Sequence, residues 1–144
     1  MKNAIFSLIL VFATTFASAQ DSKLKVTDLP KEAQNFLEKY FKGEKIEKVK
    51  KEAQIGEKGY EVKLANGTEI EFTNSGHWRE VDGNDGAIPT GYILPAITDY
   101  IAKNYPAQKI THIDIGHKEI DVDLSNNTDL NFTQDGKFIK AKQK

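Results

Sequence analysis

The sequence predicts an α+β fold: a helix followed by a four-stranded antiparallel meander, built twice and joined into one two-unit domain with both helices on one face of the sheet. Three observations predict it. Residues 59–78 realign without a gap on residues 119–138, apolar on apolar and turn residue on turn residue. Each repeat is preceded by an apolar stripe at helical spacing. Each consists of short alternating runs punctuated by Gly and Asn, the pattern of hairpins.

Taken in order, residues 1–19 read as a signal peptide. Lys2 gives a basic start, Ala4 to Phe16 an apolar stretch, and Ala17-Ser18-Ala19 a small-residue cleavage site before Gln20. Residues 20–27 form a short N-terminal extension. Unit one covers 28–82, and its helix carries Leu29, Ala33, Phe36, Leu37, Tyr40 and Phe41 on one face, with Pro30 at its start and Gly43 as its stop. Unit two covers 83–144. Its helix carries Ile93, Ile97, Tyr100, Ile101 and Tyr105, with Pro95 near the start and Pro106 at the end. The first strands lie around Val49 and around Ile113–Ile115. Tyr60/Val62/Leu64 with Ile70/Phe72, and Ile120/Val122/Leu124 with Leu130/Phe132, form the middle strands, and Trp78 and Phe138 mark the last ones.

Turn chemistry fixes the register. A two-residue Asn66-Gly67 turn would set Leu64 against Glu69 and mix the two faces. A three-residue loop with Gly67 in the left-handed position removes the conflict. Tyr60 then opposes Phe72 and Val62 opposes Ile70, while Lys63 faces Glu69 and Glu61 faces Glu71. Asn127 takes the left-handed position in the repeat. The next hairpins place Phe72 against Trp78 and Phe132 against Phe138, and Glu71 is expected to face Arg79 as well. Asp82-Gly83-Asn84-Asp85-Gly86 reads as the connecting loop. Gly86 stands where a calcium loop needs a ligand, and no Glu follows at the required distance.

Composition narrows function. The chain has no cysteine, which removes thiol catalysis and disulfides and leaves packing to hold the core. A formal charge of −1 has none of the basic excess that a nucleic-acid partner would require. After signal cleavage no membrane anchor is expected. No Gly-x-Ser-x-Gly elbow and no phosphate-cradling Gly-rich loop is present. The histidines do not converge: His77 starts a strand, and His112 and His117 fall on different faces. His112 and Asp114 could project together, but two ligands are too few for a metal site. The expectation is therefore a non-enzyme with no catalytic residues, no cofactor and no metal site.

The unit-two counterpart of the Lys63–Glu69 pair is Asp123 against Asp129, with Asp121 one step away. Like charges across strands cost a few tenths to about 1 kcal/mol. Such a face either keeps an exported protein soluble or meets a basic partner or a cation.

The pattern Leu29-Pro30…Phe36-Leu37…Tyr40-Phe41, then Gly59-Tyr60-Glu61-Val62…Asn66-Gly67-Thr68-Glu69-Ile70-Glu71-Phe72…Gly76-His77-Trp78, recurs as Pro95…Tyr100-Ile101…Tyr105-Pro106 and Glu119-Ile120-Asp121-Val122…Phe132…Gly136-Lys137-Phe138. It resembles the PepSY-like family of exported bacterial proteins, whose tandem units are similar to those of the β-lactamase inhibitor protein. The resemblance spans Thr27 to Ile139. It implies a non-catalytic periplasmic or secreted binding module, with an exported or envelope protein such as a peptidase as the partner. It carries no residue roles over, and the inhibitor protein's disulfides have no counterpart here. The expected partner-binding face comprises Glu61, Lys63, Glu69, Glu71 and Arg79 with Asp121, Asp123, Asp129 and Asn131. The alternative expectation is a small ligand or divalent cation on the acidic half of that face.

Overall fold

The computed structural model describes residues 23–53 and 58–144. The predicted signal peptide and cleavage site lie outside the described residues.

A 3₁₀ turn at Val26–Asp28 leads into helix α1 (Lys31–Tyr40), then strands β1 (Ile46–Ala53), β2 (Lys58–Leu64), β3 (Glu69–Phe72) and β4 (Trp78–Asp82). Helix α2 (Pro95–Asn104) follows, then β5 (Ile110–Ile115), β6 (Glu119–Leu124), β7 (Thr128–Thr133) and β8 (Phe138–Gln143). The order of one helix and four strands occurs twice. All eight strands form one antiparallel sheet in sequence order, so β4 pairs with β5 and the two meanders are continuous.

The helices form where apolar spacing and end signals agree. Pro30 precedes α1, and Pro95 opens α2, where its missing N–H leaves no hydrogen bond unmade. Gly43 adopts φ +86° just past α1. Ala33, Phe36 and Leu37 of α1 and Ile97 and Ile101 of α2 are buried with Val62, Leu64, Ile70, Phe72, Val81, Ile113, Val122, Leu130 and Phe132 of the sheet. Each such large side chain contributes about 1.5–3 kcal/mol by leaving water. The two units pack their rings alike: Phe36 lies edge-on to Phe72 at 5.6 Å, and Tyr100 edge-on to Phe132 at 5.5 Å. Tyr92, from the connection between units, packs on Phe36 and Trp78, both at 4.9 Å.

The three-residue loops form as expected. Leu64 N–H donates to Thr68 O, and Gly67 and Asn127 have φ +92° and +62°. Tyr60 faces Phe72, Val62 faces Ile70, Lys63 faces Glu69, and Phe132 faces Phe138. One expected pair is corrected. A bulge between Glu71 and Phe72 puts Glu80, not Arg79, opposite Glu71. Trp78 stays opposite Phe72, so Arg79 is the extra residue of the bulged strand, and it reaches Glu71 at 3.7 Å from there.

Candidate functional site

The helices cover one face of the sheet, and strand alternation sends the charged residues to the other. The strand registers align these residues into two rows that cross all eight strands. The first runs Lys50, Glu61, Glu71, Glu80, Asp114, Asp121, Asn131, Lys140. The second runs Lys48, Lys63, Glu69, Asp82, His112, Asp123, Asp129, Lys142. Lysines therefore stand on both edge strands and carboxylates in the middle. At about 4.8 Å between strands, the five consecutive carboxylates of the first row span about 19 Å.

The expected face residues all lie in these rows except Arg79, which reaches the first row from its bulge. The structure adds Lys48, Lys50, Glu80, Asp82, His112, Asp114, Lys140 and Lys142. Four of these, Glu80, Asp82, His112 and Asp114, are joined only by the β4–β5 pairing, between strands with no hairpin turn joining them, while the lysines are placed by the β1–β2 and β7–β8 registers. The bulge did leave a trace: Trp78 and Val81 are three apart, which breaks strand alternation.

Ion pairs order the flanks. Lys50 Nζ lies 2.8 Å from Glu61 Oε1, and Lys63 Nζ lies 3.0 Å from Glu69 Oε1. His112 joins the two units, with Nε2 2.8 Å from Glu80 Oε1 and Nδ1 3.5 Å from Asp123 Oδ2. It thus pairs with Glu80 and Asp123 rather than acting with Asp114 as a ligand pair. The hydrogen bond to Glu80, opposed by burial and aided by the charges of Glu80, Asp123 and Asp82, holds the imidazole above the usual histidine range.

The middle of the first row is held less evenly. Asp114 Oδ1 is buried without a hydrogen-bond partner among the described residues. Burial and then the neighbouring Glu80 charge push both Glu71 and Asp114 above the usual carboxylate range. Burial and then Glu119 do the same to Asp121, although Asn131 Nδ2 donates a hydrogen bond to it. Asp123 and Asp129 face each other as expected, but Lys144 reaches both of them. Among the described residues no three His, Asp or Glu side chains are gathered closely enough to hold a metal ion.

The arrangement concentrates negative charge at the middle of the open sheet face, with lysines on both edge strands. A model of candidate β-lactamase-inhibitor-like, PepSY-like proteins matches residues 16–66 and 58–140. A Bacteroides thetaiotaomicron structure, described as a candidate calcium-regulated periplasmic protein, is 35% identical and superposes with a TM-score of 0.80, covering 84% of this chain and 95% of that one. A candidate periplasmic protein of the DUF2874 family from Bacteroides vulgatus is 31% identical with a TM-score of 0.80, covering 88% and 99%. Another from the same species, of unknown function, is 32% identical with a TM-score of 0.77, covering 83% and 95%. No curated protein matches the chain. The descriptions of these relatives as periplasmic support an exported, periplasmic location, and none of them assigns a reaction.

Proposed function

The chain belongs to the PepSY-like, β-lactamase-inhibitor-like family, and from that membership and the charge rows we propose that it is an exported, non-catalytic binding module that engages a basic protein partner through its open sheet face. The observation that carries the reading is the first row: five carboxylates across β2–β6, with Lys50 and Lys140 beyond them on the edge strands. Like charges set opposite one another cost stability. A partner presenting Lys or Arg side chains to the acidic centre relieves that cost and is steered toward the face by it. The basic edges disfavour a uniformly basic surface and so select register. On this reading the chain is a tandem repeat whose two units share a core but not a surface, and residues 1–19 are the signal that exports it. An envelope enzyme such as a peptidase is the kind of partner the family suggests.

The test is capture of basic envelope proteins by the immobilised wild-type chain, compared with the variant E71K/D121K/D129K. Capture should be lost in the variant and weaken steeply with salt. Capture insensitive to charge reversal would remove the reading.

A second reading has one observation in its favour: the Bacteroides thetaiotaomicron relative is described as calcium-regulated. Calcium takes six to eight oxygen ligands, more than the described side chains bring together. On this reading the ion would draw neighbouring carboxylates of the acidic face toward it, among them the Asp114 oxygen that lacks a hydrogen-bond partner among the described residues. Calcium at 100 times its dissociation constant would stabilise the fold by about 2.7 kcal/mol. A thermal melt unmoved by millimolar calcium would sink this reading and leave the first intact.

A further inference from the structure

The last strand of each unit ends differently. In unit one β4 carries β5 on its far side, with Glu80 opposite Asp114, Val81 opposite Ile113 and Asp82 opposite His112. The unit-two counterparts of Glu80, Val81 and Asp82 are Lys140, Ala141 and Lys142, because both sets face the preceding strand in the same register. Among the described residues β8 is an edge of the sheet. The free side of an edge strand is a row of backbone N–H and C=O groups on which another strand can pair.

The two edges of the sheet are not alike. On β8, Phe138 and Ile139 are 39% and 41% exposed, two of the three exposed large hydrophobics among the described residues. Val81, paired with Ile113, is fully buried, whereas its counterpart Ala141 is exposed. The other edge, β1, buries Val49, lays Lys51 Nζ over the Tyr60 ring at 5.3 Å, and mixes Glu47 and Glu52 with its lysines. β8 has lysines and no acidic residue.

Bulges and lysines ordinarily discourage pairing at an edge. The bulge is no barrier here: β4 has the same one at Arg79, and β5 pairs immediately beyond it. The lysines act as a filter. Two copies of β8 would set lysine against lysine, which is unfavourable, while carboxylates in those places are favoured. Lys140 is 61% exposed and reaches Glu119 only at 3.8 Å.

We propose that β8 is a docking edge for an extended segment of a protein partner, paired antiparallel as β5 is on β4. Acidic side chains of that segment face Lys140 and Lys142, and an apolar one between them lies beside Ala141. Main-chain hydrogen bonds hold such a strand, and its alternating side chains give the choice of partner. The site is the edge of the sheet, not the acidic centre of its open face, so it stands or falls apart from the basic-partner reading.

The experiment is an NMR titration of residues 20–144 with the capped peptide Thr-Glu-Val-Glu-Val-Thr, followed through the backbone amides. The amides of Lys140, Ala141 and Lys142 should shift most. A peptide with Lys in place of Glu should bind at least about tenfold more weakly. Methylating alternate backbone nitrogens of the peptide removes the donors on one of its edges. One phase of methylation should abolish binding and the other should change it by less than about twofold, because only one edge faces β8. K140E/K142E should weaken binding of the acidic peptide about tenfold and strengthen that of the lysine peptide. K31E/K42E makes the same charge change near α1 and should alter affinity by less than about twofold. Equal effects of the two methylation phases would mean a purely ionic contact and overturn the proposal. So would no binding, or shifts as large on β1 as on β8. A dimer of the chain alone in sedimentation, broken by K140E/K142E, would assign the edge to a second copy and also overturn it.

Discussion

His112 lies between carboxylates from two other strands, Glu80 on β4 and Asp123 on β6. Its hydrogen bond to Glu80 is the largest cause of its raised pKa, with Asp82 and Asp123 adding charge. The sign follows from linkage. The folded-state value lies above the ordinary 6.5, so protonated His112 stabilises the fold fully below that pH. The contribution is lost as pH rises through the elevated value. The raised values of Glu71, Asp114 and Asp121 act in the same sense at lower pH: stability falls as these carboxyls ionise. Asp129 acts oppositely. Burial resists its ionisation, but Lys144 holds it below the usual range, so its contribution is present above about pH 4 and lost in acid. We therefore expect H112Q to flatten the decline in urea midpoint between about pH 6 and 8. Parallel profiles for H112Q and wild type would show that the ring contributes nothing. The contacts of His112 were not legible in the sequence, where it stands 32 residues from Glu80.

At the scale of elements, the hairpin tips are built against the helix starts. Gly76 has φ +91°, and a Cβ there would meet Pro30 Cβ at 2.8 Å and Ala33 N at 2.9 Å. Gly136 has φ +85° and would meet Ala96 Cβ at 3.0 Å. Each β3–β4 or β7–β8 turn therefore locks its own helix to the sheet, by the same device in both units. G76A should cost about 1–3 kcal/mol, from the left-handed backbone and the clash with α1 together. Urea unfolding would measure it, and a loss below about 0.5 kcal/mol would mean that the α1 entry yields readily. The left-handed turn positions were readable from Gly and Asn spacing, because few other residues tolerate that backbone. Their contact with the helices was not readable, since it joins Gly76 to residues more than 40 positions earlier. The Arg79 bulge stood between these cases: its spacing signal was present, yet alternation alone suggested the wrong partner for Glu71.

The strands of both units form one sheet among the described residues. Val81 on β4 faces Ile113 on β5, and both are buried in the same core as α1 and α2. Tyr92 adds a second join by packing against Phe36, Tyr40 and Trp78 of the first unit. Unfolding should therefore be one cooperative event. Fluorescence of Trp78, the single tryptophan, reports on unit one, and far-UV circular dichroism reports on both units. Their urea transitions should coincide, whereas an earlier fluorescence midpoint would mean that the units melt separately. The sequence by itself determined the repeat, the helix faces and the registers of the β2–β3 and β6–β7 hairpins. These depend on residues close along the chain: 3.6-residue periodicity, strand alternation and turn residues with restricted backbones. It also showed that Asp123 meets Asp129 where unit one has Lys63 and Glu69. Only the tertiary structure decided what that difference amounts to. Pairing β4 with β5 aligns the carboxylates of both units into a single row, and folding of the last strand brings Lys144 onto Asp123 and Asp129. Charges far apart in sequence act on one another only once the sheet has set them a strand spacing apart.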